Sequence, residues 1–138
     1  MKIASLIAGI LLGFVFVASG LVILLNLAPP PPPFPEGSAS GHFMAAFMKT
    51  GYMTFVKVLE VVGGVLVAIP RTRRAGLLVL GPILINILAY HVFVQGEGVF
   101  APPLVVIVLL TLFLTWTERG AFAAFLGRPA SANAAGAN

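Results

Sequence analysis

The stretch Tyr52-Met-Thr-Phe-Val-Lys57-Val-Leu-Glu60-Val-Val-Gly63-Gly64-Val-Leu-Val-Ala-Ile69 decides the fold, together with the turn Pro70-Arg71-Thr72-Arg73-Arg74 and the apolar run 75–94 behind it. Each arm is close to the ~20 apolar residues that cross a bilayer as a helix. The short connector carries three arginines, the mark of a cytoplasmic loop under the positive-inside rule. Four polar side chains lie inside the arms: Lys57, Glu60, Asn86 and His91. A charge at a helix centre costs roughly 2.5–3.5 kcal/mol on insertion scales, so intramembrane ionisable residues are candidates for function.

Composition supports a membrane setting for this hairpin. The chain has 138 residues, 59% of them hydrophobic and only 9% charged, with a mean hydropathy of +1.08. Soluble domains carry about a quarter charged residues. The length allows a single domain, expected over residues 1–128, with a disordered small-residue tail at 129–138. The formal charge of +4 gathers at segment ends, which concerns orientation and lipid rather than nucleic acid, whose binding needs a basic face with interleaved aromatics. With no cysteine in the chain, thiol–disulfide chemistry, iron–sulfur ligation and Cys-based zinc sites are excluded.

Working outward, an apolar segment at 3–28 precedes the hairpin and another at 102–117 follows it. The first exceeds the ~7–15 residues of a signal-peptide core, and is expected to stay as a span, although Ala18, Ser19 and Gly20 could mimic a cleavage site. Gly9, Gly13 and Gly20 would let a neighbouring helix approach closely. Five prolines at 29–33 exclude helix and suit a stiff spacer. Ser38 or Ser40 can cap a short interfacial helix, with Phe43, Ala46 and Phe47 on one face and His42 in water. Pro82 frees the Leu78 carbonyl and is expected to kink the third span. Trp116 sits where an interfacial anchor would. Lys2, Arg71, Arg73, Arg74, Arg119 and Arg128 then fall on one side and Lys49 on the other. The expectation is an all-α, four-helix membrane bundle with spans at about 3–28, 52–69, 75–94 and 102–117 and both termini cytoplasmic. Arg71, Arg73 and Arg74 would set topology and meet lipid headgroups.

At ~1.5 Å per residue, Lys57 lies roughly 8 Å and Glu60 about 12 Å below the outer boundary. His91 lies about 5 Å and Asn86 about 12 Å below it, and Asn26 is near the height of His91. Polar groups therefore collect in the outer half of the membrane. Lys57 and Glu60, three apart, can pair across one helical turn; alternatively Lys57 reaches outward and Glu60 is protonated. Gly63 and Gly64 leave room beside Glu60. Asn86 and Tyr90 share a helix face, while His91 lies about 140° from Asn86 on a regular helix. Glu60, Lys57, Asn86, His91 and Tyr90 are thus the candidate ligand-binding residues. They could equally be a hydrogen-bonded network that fixes helix register, at on the order of 0.6 kcal/mol per bond. No metal-ligand set is evident, and His91 lacks a second axial partner for haem.

Lys57-Val-Leu-Glu60-Val-Val-Gly63-Gly64, then Pro70 with Arg71, Arg73, Arg74 and Gly76, then Gly81-Pro82 leading to Asn86-Ile87 and His91, resemble the DoxX / DoxX-like family of small bacterial membrane proteins. The resemblance covers about residues 1–120. It implies a four-span bundle in the bacterial inner membrane and a link to quinone-dependent redox systems. The family has no settled catalytic motif, so no catalytic residue is carried over. The favoured expectation is an accessory subunit of a quinone-linked membrane oxidoreductase, with quinone as the possible ligand. There Glu60 and His91 would bond a headgroup while aliphatic walls hold its tail. The alternative is a structural or assembly subunit of a larger membrane complex. Lipids, and a membrane-protein partner or a second copy, are the expected partners.

Overall fold

The structure is a computed structural model that describes residues 2–30 and 32–127; the expected disordered tail lies outside them. Helix makes up 78%, with no strand among the described residues. The helices are α1 (Lys2–Leu24), α2 (Ala39–Lys49), α3 (Tyr52–Ala68), α4 (Arg73–Ala89), α5 (Pro102–Thr117) and α6 (Arg119–Phe125). A π-helical turn, Tyr90–Gln95, extends α4.

α1 stops earlier than expected, at Leu24 rather than 28, and Asn26 is the reason. It adopts φ 53°, a left-handed conformation that asparagine tolerates better than most residues. Leu27 N–H then donates to Val22 O at 2.8 Å and Asn26 N–H to Ile23 O at 3.1 Å. That pair of bonds is a Schellman cap, which satisfies carbonyls the helix end would otherwise orphan. Asn26 is therefore an exposed helix terminator.

The short helix expected ahead of Tyr52 forms as α2. Ser38 is its N-cap, accepting from Gly41 N–H at 3.1 Å. Thr50 and Gly51 end it; Gly51, at φ 74°, makes the left-handed joint to α3, and the two helices meet at 79°. Pro102 and Pro103 open α5 at positions that lack intrahelical donors anyway. α6 was not expected, and leaves α5 at 66°. Pro82 lies inside α4, which continues through it to Ala89, where the π turn takes over.

Two helices, Lys2–Leu24 and Arg73–Gln95, are long and apolar enough to cross a membrane, and up to four spans result if each bent pair is one span. The surface agrees with that setting. Ile85 is 69% exposed and Phe100 89%, and an apolar exterior of this extent belongs in lipid rather than water. The packed interior is small: Leu12 and Phe16 of α1, Val67 of α3, Leu77 and Leu80 of α4, and Leu114 of α5. α3 packs against both α1 and α4, and α5 against both as well.

Glycine sets the close seams. A Cβ on Gly13 would lie 2.5 Å from Gly64 O, and one on Gly64 would lie 2.9 Å from Gly13 O. The α1 and α3 backbones therefore touch directly, the usual way helices gain dispersion contact where lipid offers no hydrophobic drive. A Cβ on Gly76 would collide with Val67 N, so α4 approaches α3 in the same way.

The basic loop closes this hairpin from within. Thr72 Oγ1 donates to Leu66 O at 2.9 Å and Arg73 Nε to Val67 O at 3.2 Å. Both carbonyls belong to the last turn of α3, where cations are favoured by the helix dipole. Arg73 corrects an expectation: it was to join Arg71 and Arg74 at the headgroups, yet it is only 3% exposed. Its guanidinium lies against α1, where Gly9 makes room for it. Arg71 and Arg74 are exposed, and Arg74 pairs with Glu118 of α5 at 2.8 Å.

Candidate functional site

The five residues singled out from the sequence line one cavity of about 390 Å³: Lys57, Glu60, Asn86, Tyr90 and His91. The volume falls within the ~300–1,000 Å³ typical of small-molecule sites. α3 supplies Lys57 and Glu60, α4 supplies Asn86, and the π turn supplies Tyr90 and His91. Asn86 and His91 both line the cavity although a regular helix sets them about 140° apart, and the i→i+5 turn begins at Tyr90, one residue before His91.

Lys57 and Glu60 are paired. Lys57 Nζ donates to Glu60 Oε2 at 2.8 Å and Oε1 at 3.0 Å. The side chains are 15% and 3% exposed respectively, so the carboxylate is the buried partner and the ammonium faces the cavity edge. Ser19 of α1 completes the cluster, accepting from Lys57 Nζ at 3.3 Å and donating to Glu60 Oε2 at 3.5 Å. Neutralisation by a close ion is what permits an acid at this depth, since an unpartnered buried charge is strongly unfavourable. The same contacts tie α1 to α3 next to the Gly20 approach, where an added Cβ would lie 3.0 Å from Lys57 O.

His91 is fixed by its own helix. Its Nδ1 lies 2.8 Å from Ile87 O. A carbonyl only accepts, so Nδ1 carries the hydrogen, and in the neutral ring Nε2 is a hydrogen-bond acceptor. Tyr90 stacks edge-on to His91 at 5.6 Å and lies 5.1 Å from Phe43. The cavity thus gathers an ion pair, a serine hydroxyl, an amide, a phenol and an imidazole among aliphatic and aromatic walls. It can offer both donors and acceptors to a polar ring.

Three contributors, Ser19, Phe43 and Phe47, are not recognisable as such from the sequence. In the sequence Ser19 reads as part of a cleavage-site mimic; its signal as a contributor is a hydroxyl beside Gly20 on the packing face of α1. Phe43 and Phe47 of α2 read in the sequence as one face of a short interfacial helix, and they line the cavity as well. They stack at 4.4 Å, and Ser40 Oγ donates to Val94 O at 3.4 Å, holding α2 against the π turn. His42 is exposed, and Asn26 takes no part in the cavity.

No family model, curated protein or solved structure matches the chain.

Proposed function

We propose that the chain is a DoxX-like protein crossing the bacterial inner membrane four times, both ends cytoplasmic, and that its outer-leaflet chamber binds a quinone-type headgroup. In this reading it serves as an accessory subunit of a quinone-linked membrane oxidoreductase system. The observation that carries it is the convergence of Lys57, Glu60, Asn86, Tyr90 and His91 on one cavity of headgroup-compatible size. Quinone carbonyls only accept, and Lys57, Asn86 and Tyr90 can donate to them; quinol hydroxyls can donate to Glu60 and to His91 Nε2. The one-sided placement of basic residues supports the orientation, and the Glu60, Pro-Arg-loop and Asn86–His91 spacing supports the family.

The test is to purify the protein in mild detergent and extract its lipids. A quinone at near-stoichiometric yield in the wild type, and depleted at least tenfold in Asn86→Leu and Glu60→Gln, is the expected result. Asn86→Leu leaves the ion pair intact, so loss of ligand there is not loss of the bundle. Unchanged lipid content in both variants refutes the reading. A structural role is favoured by a separate observation, the mutual satisfaction of Ser19, Lys57 and Glu60. It predicts variants that are less stable but carry the same lipids.

A further inference from the structure

A second cavity adjoins the chamber, an open groove of about 870 Å³ between α2, α3 and α4. Phe43, Phe47, Val56, Ile83 and Asn86 line both spaces, so the two lie side by side with these residues as their common wall. The groove is graded along its length. Thr50 and Tyr52 stand at its mouth by the α2–α3 joint and Asn86 stands on the shared wall. Inward of them the lining is hydrocarbon: Phe55, Leu59, Val79 and Pro82. Val79 packs beside Gly63, which places the inner end of the groove some eleven residues below Tyr52, about 16 Å at 1.5 Å per residue.

We infer that this groove holds the hydrocarbon tail of the ligand whose headgroup occupies the chamber, and that the ligand enters sideways from the bilayer beneath α2. The inference rests on the proposed headgroup site and adds a location for the tail. Three features favour one amphipathic occupant over bulk lipid. The groove shares a wall with a polar chamber; its polar groups stand only at the mouth and at that wall; and it runs inward along α3, as a tail hanging from an outer-leaflet headgroup would. A tail moving from lipid into protein gains little hydrophobic free energy, because lipid is already apolar. The groove therefore confers orientation and selectivity for a single extended chain, and the chamber confers affinity.

The experiment uses two photoreactive benzoquinones on the wild-type protein in lipid nanodiscs, one with an azide on the ring and one with a diazirine on the first part of the tail. Adducts are mapped by peptide mass spectrometry, with and without excess unlabelled short-tailed benzoquinone. The ring probe is expected on chamber residues and the tail probe on α3 and α4 around Leu59 and Val79, each adduct falling at least tenfold under competition. Leu59→Trp, which fills the groove without lining the chamber, should cut the tail adduct at least fivefold and leave the ring adduct within twofold. Val79→Trp repeats that test from the opposite wall. Competed ring labelling with tail adducts elsewhere overturns the groove assignment and leaves the headgroup site standing. Groove labelling that resists competition means bulk lipid fills it, and also overturns the assignment. No competed adduct with either probe overturns both.

Discussion

Replacing Lys57 by Met should cost more than replacing both members of its ion pair. In the native protein Lys57 Nζ approaches both Glu60 oxygens, at 2.8 and 3.0 Å. Without it, a carboxylate that is 3% exposed keeps only the Ser19 hydroxyl at 3.5 Å. Removing one partner of a buried pair costs about 3–5 kcal/mol, whereas exchanging both for apolar residues of similar size is often neutral. Lys57→Met is therefore expected to lose about 3 kcal/mol. Glu60→Met should lose less, about 1 kcal/mol, because Lys57 is closer to the cavity edge and its long stem can carry the ammonium outward. The double variant should return to within about 1 kcal/mol of the wild type, giving a coupling of about 3 kcal/mol. Reversible unfolding in mixed micelles at increasing dodecyl sulfate fraction, followed by circular dichroism, measures all four corners of the cycle. Single variants that each cost under about 0.6 kcal/mol, the average for a hydrogen bond between membrane helices, and that add without coupling would refute the assignment of Glu60 as a charged, Lys57-dependent group.

Other consequences are equally direct. Gly76→Ala drives a methyl group into the Val67 backbone and should destabilise by about 1–3 kcal/mol or more, while Gly81→Ala meets open space and should be neutral or stabilising by up to about 1 kcal/mol; the same unfolding assay compares them, and equal effects would contradict the α3–α4 seam. Thr72→Val removes the hydroxyl bond to Leu66 O and should cost about 1 kcal/mol, read as a shifted unfolding midpoint. Because the chain has no cysteine, single substitutions Glu36→Cys and Arg71→Cys can report sidedness in intact cells with an impermeant maleimide; labelling of the first and protection of the second is expected, and labelling of both from outside would overturn the proposed orientation.

The hairpin and its polar groups were legible because hydropathy and rare intramembrane charges are strong signals. The pairing of Lys57 with Glu60 followed from their three-residue spacing, and the close approach at Gly13 from the absence of a side chain there. Other features depend on tertiary contact that spacing does not encode. Arg73 looks like its neighbours in a basic loop, yet the α3 terminus and the vacant flank of Gly9 draw it inward. Asn26 looked like one more polar group near the outer boundary, and its tolerance of positive φ makes it a terminator. The π turn at Tyr90–Gln95 leaves no clear trace in the residues, and the spacing of Asn86 and His91 does not announce that both line one cavity.

α2 has no buried residue and meets α3 through a left-handed glycine joint, yet its two phenylalanines wall both cavities. The roof of the site is thus lightly anchored, through half-buried side chains and the Ser40–Val94 bond. Local detachment of such an element costs far less than global unfolding. Exchange of whatever occupies the cavities should accordingly follow the opening of this roof, and substitutions that loosen the α1–α3 seam should alter the lifetime of the fold while leaving exchange rates nearly untouched.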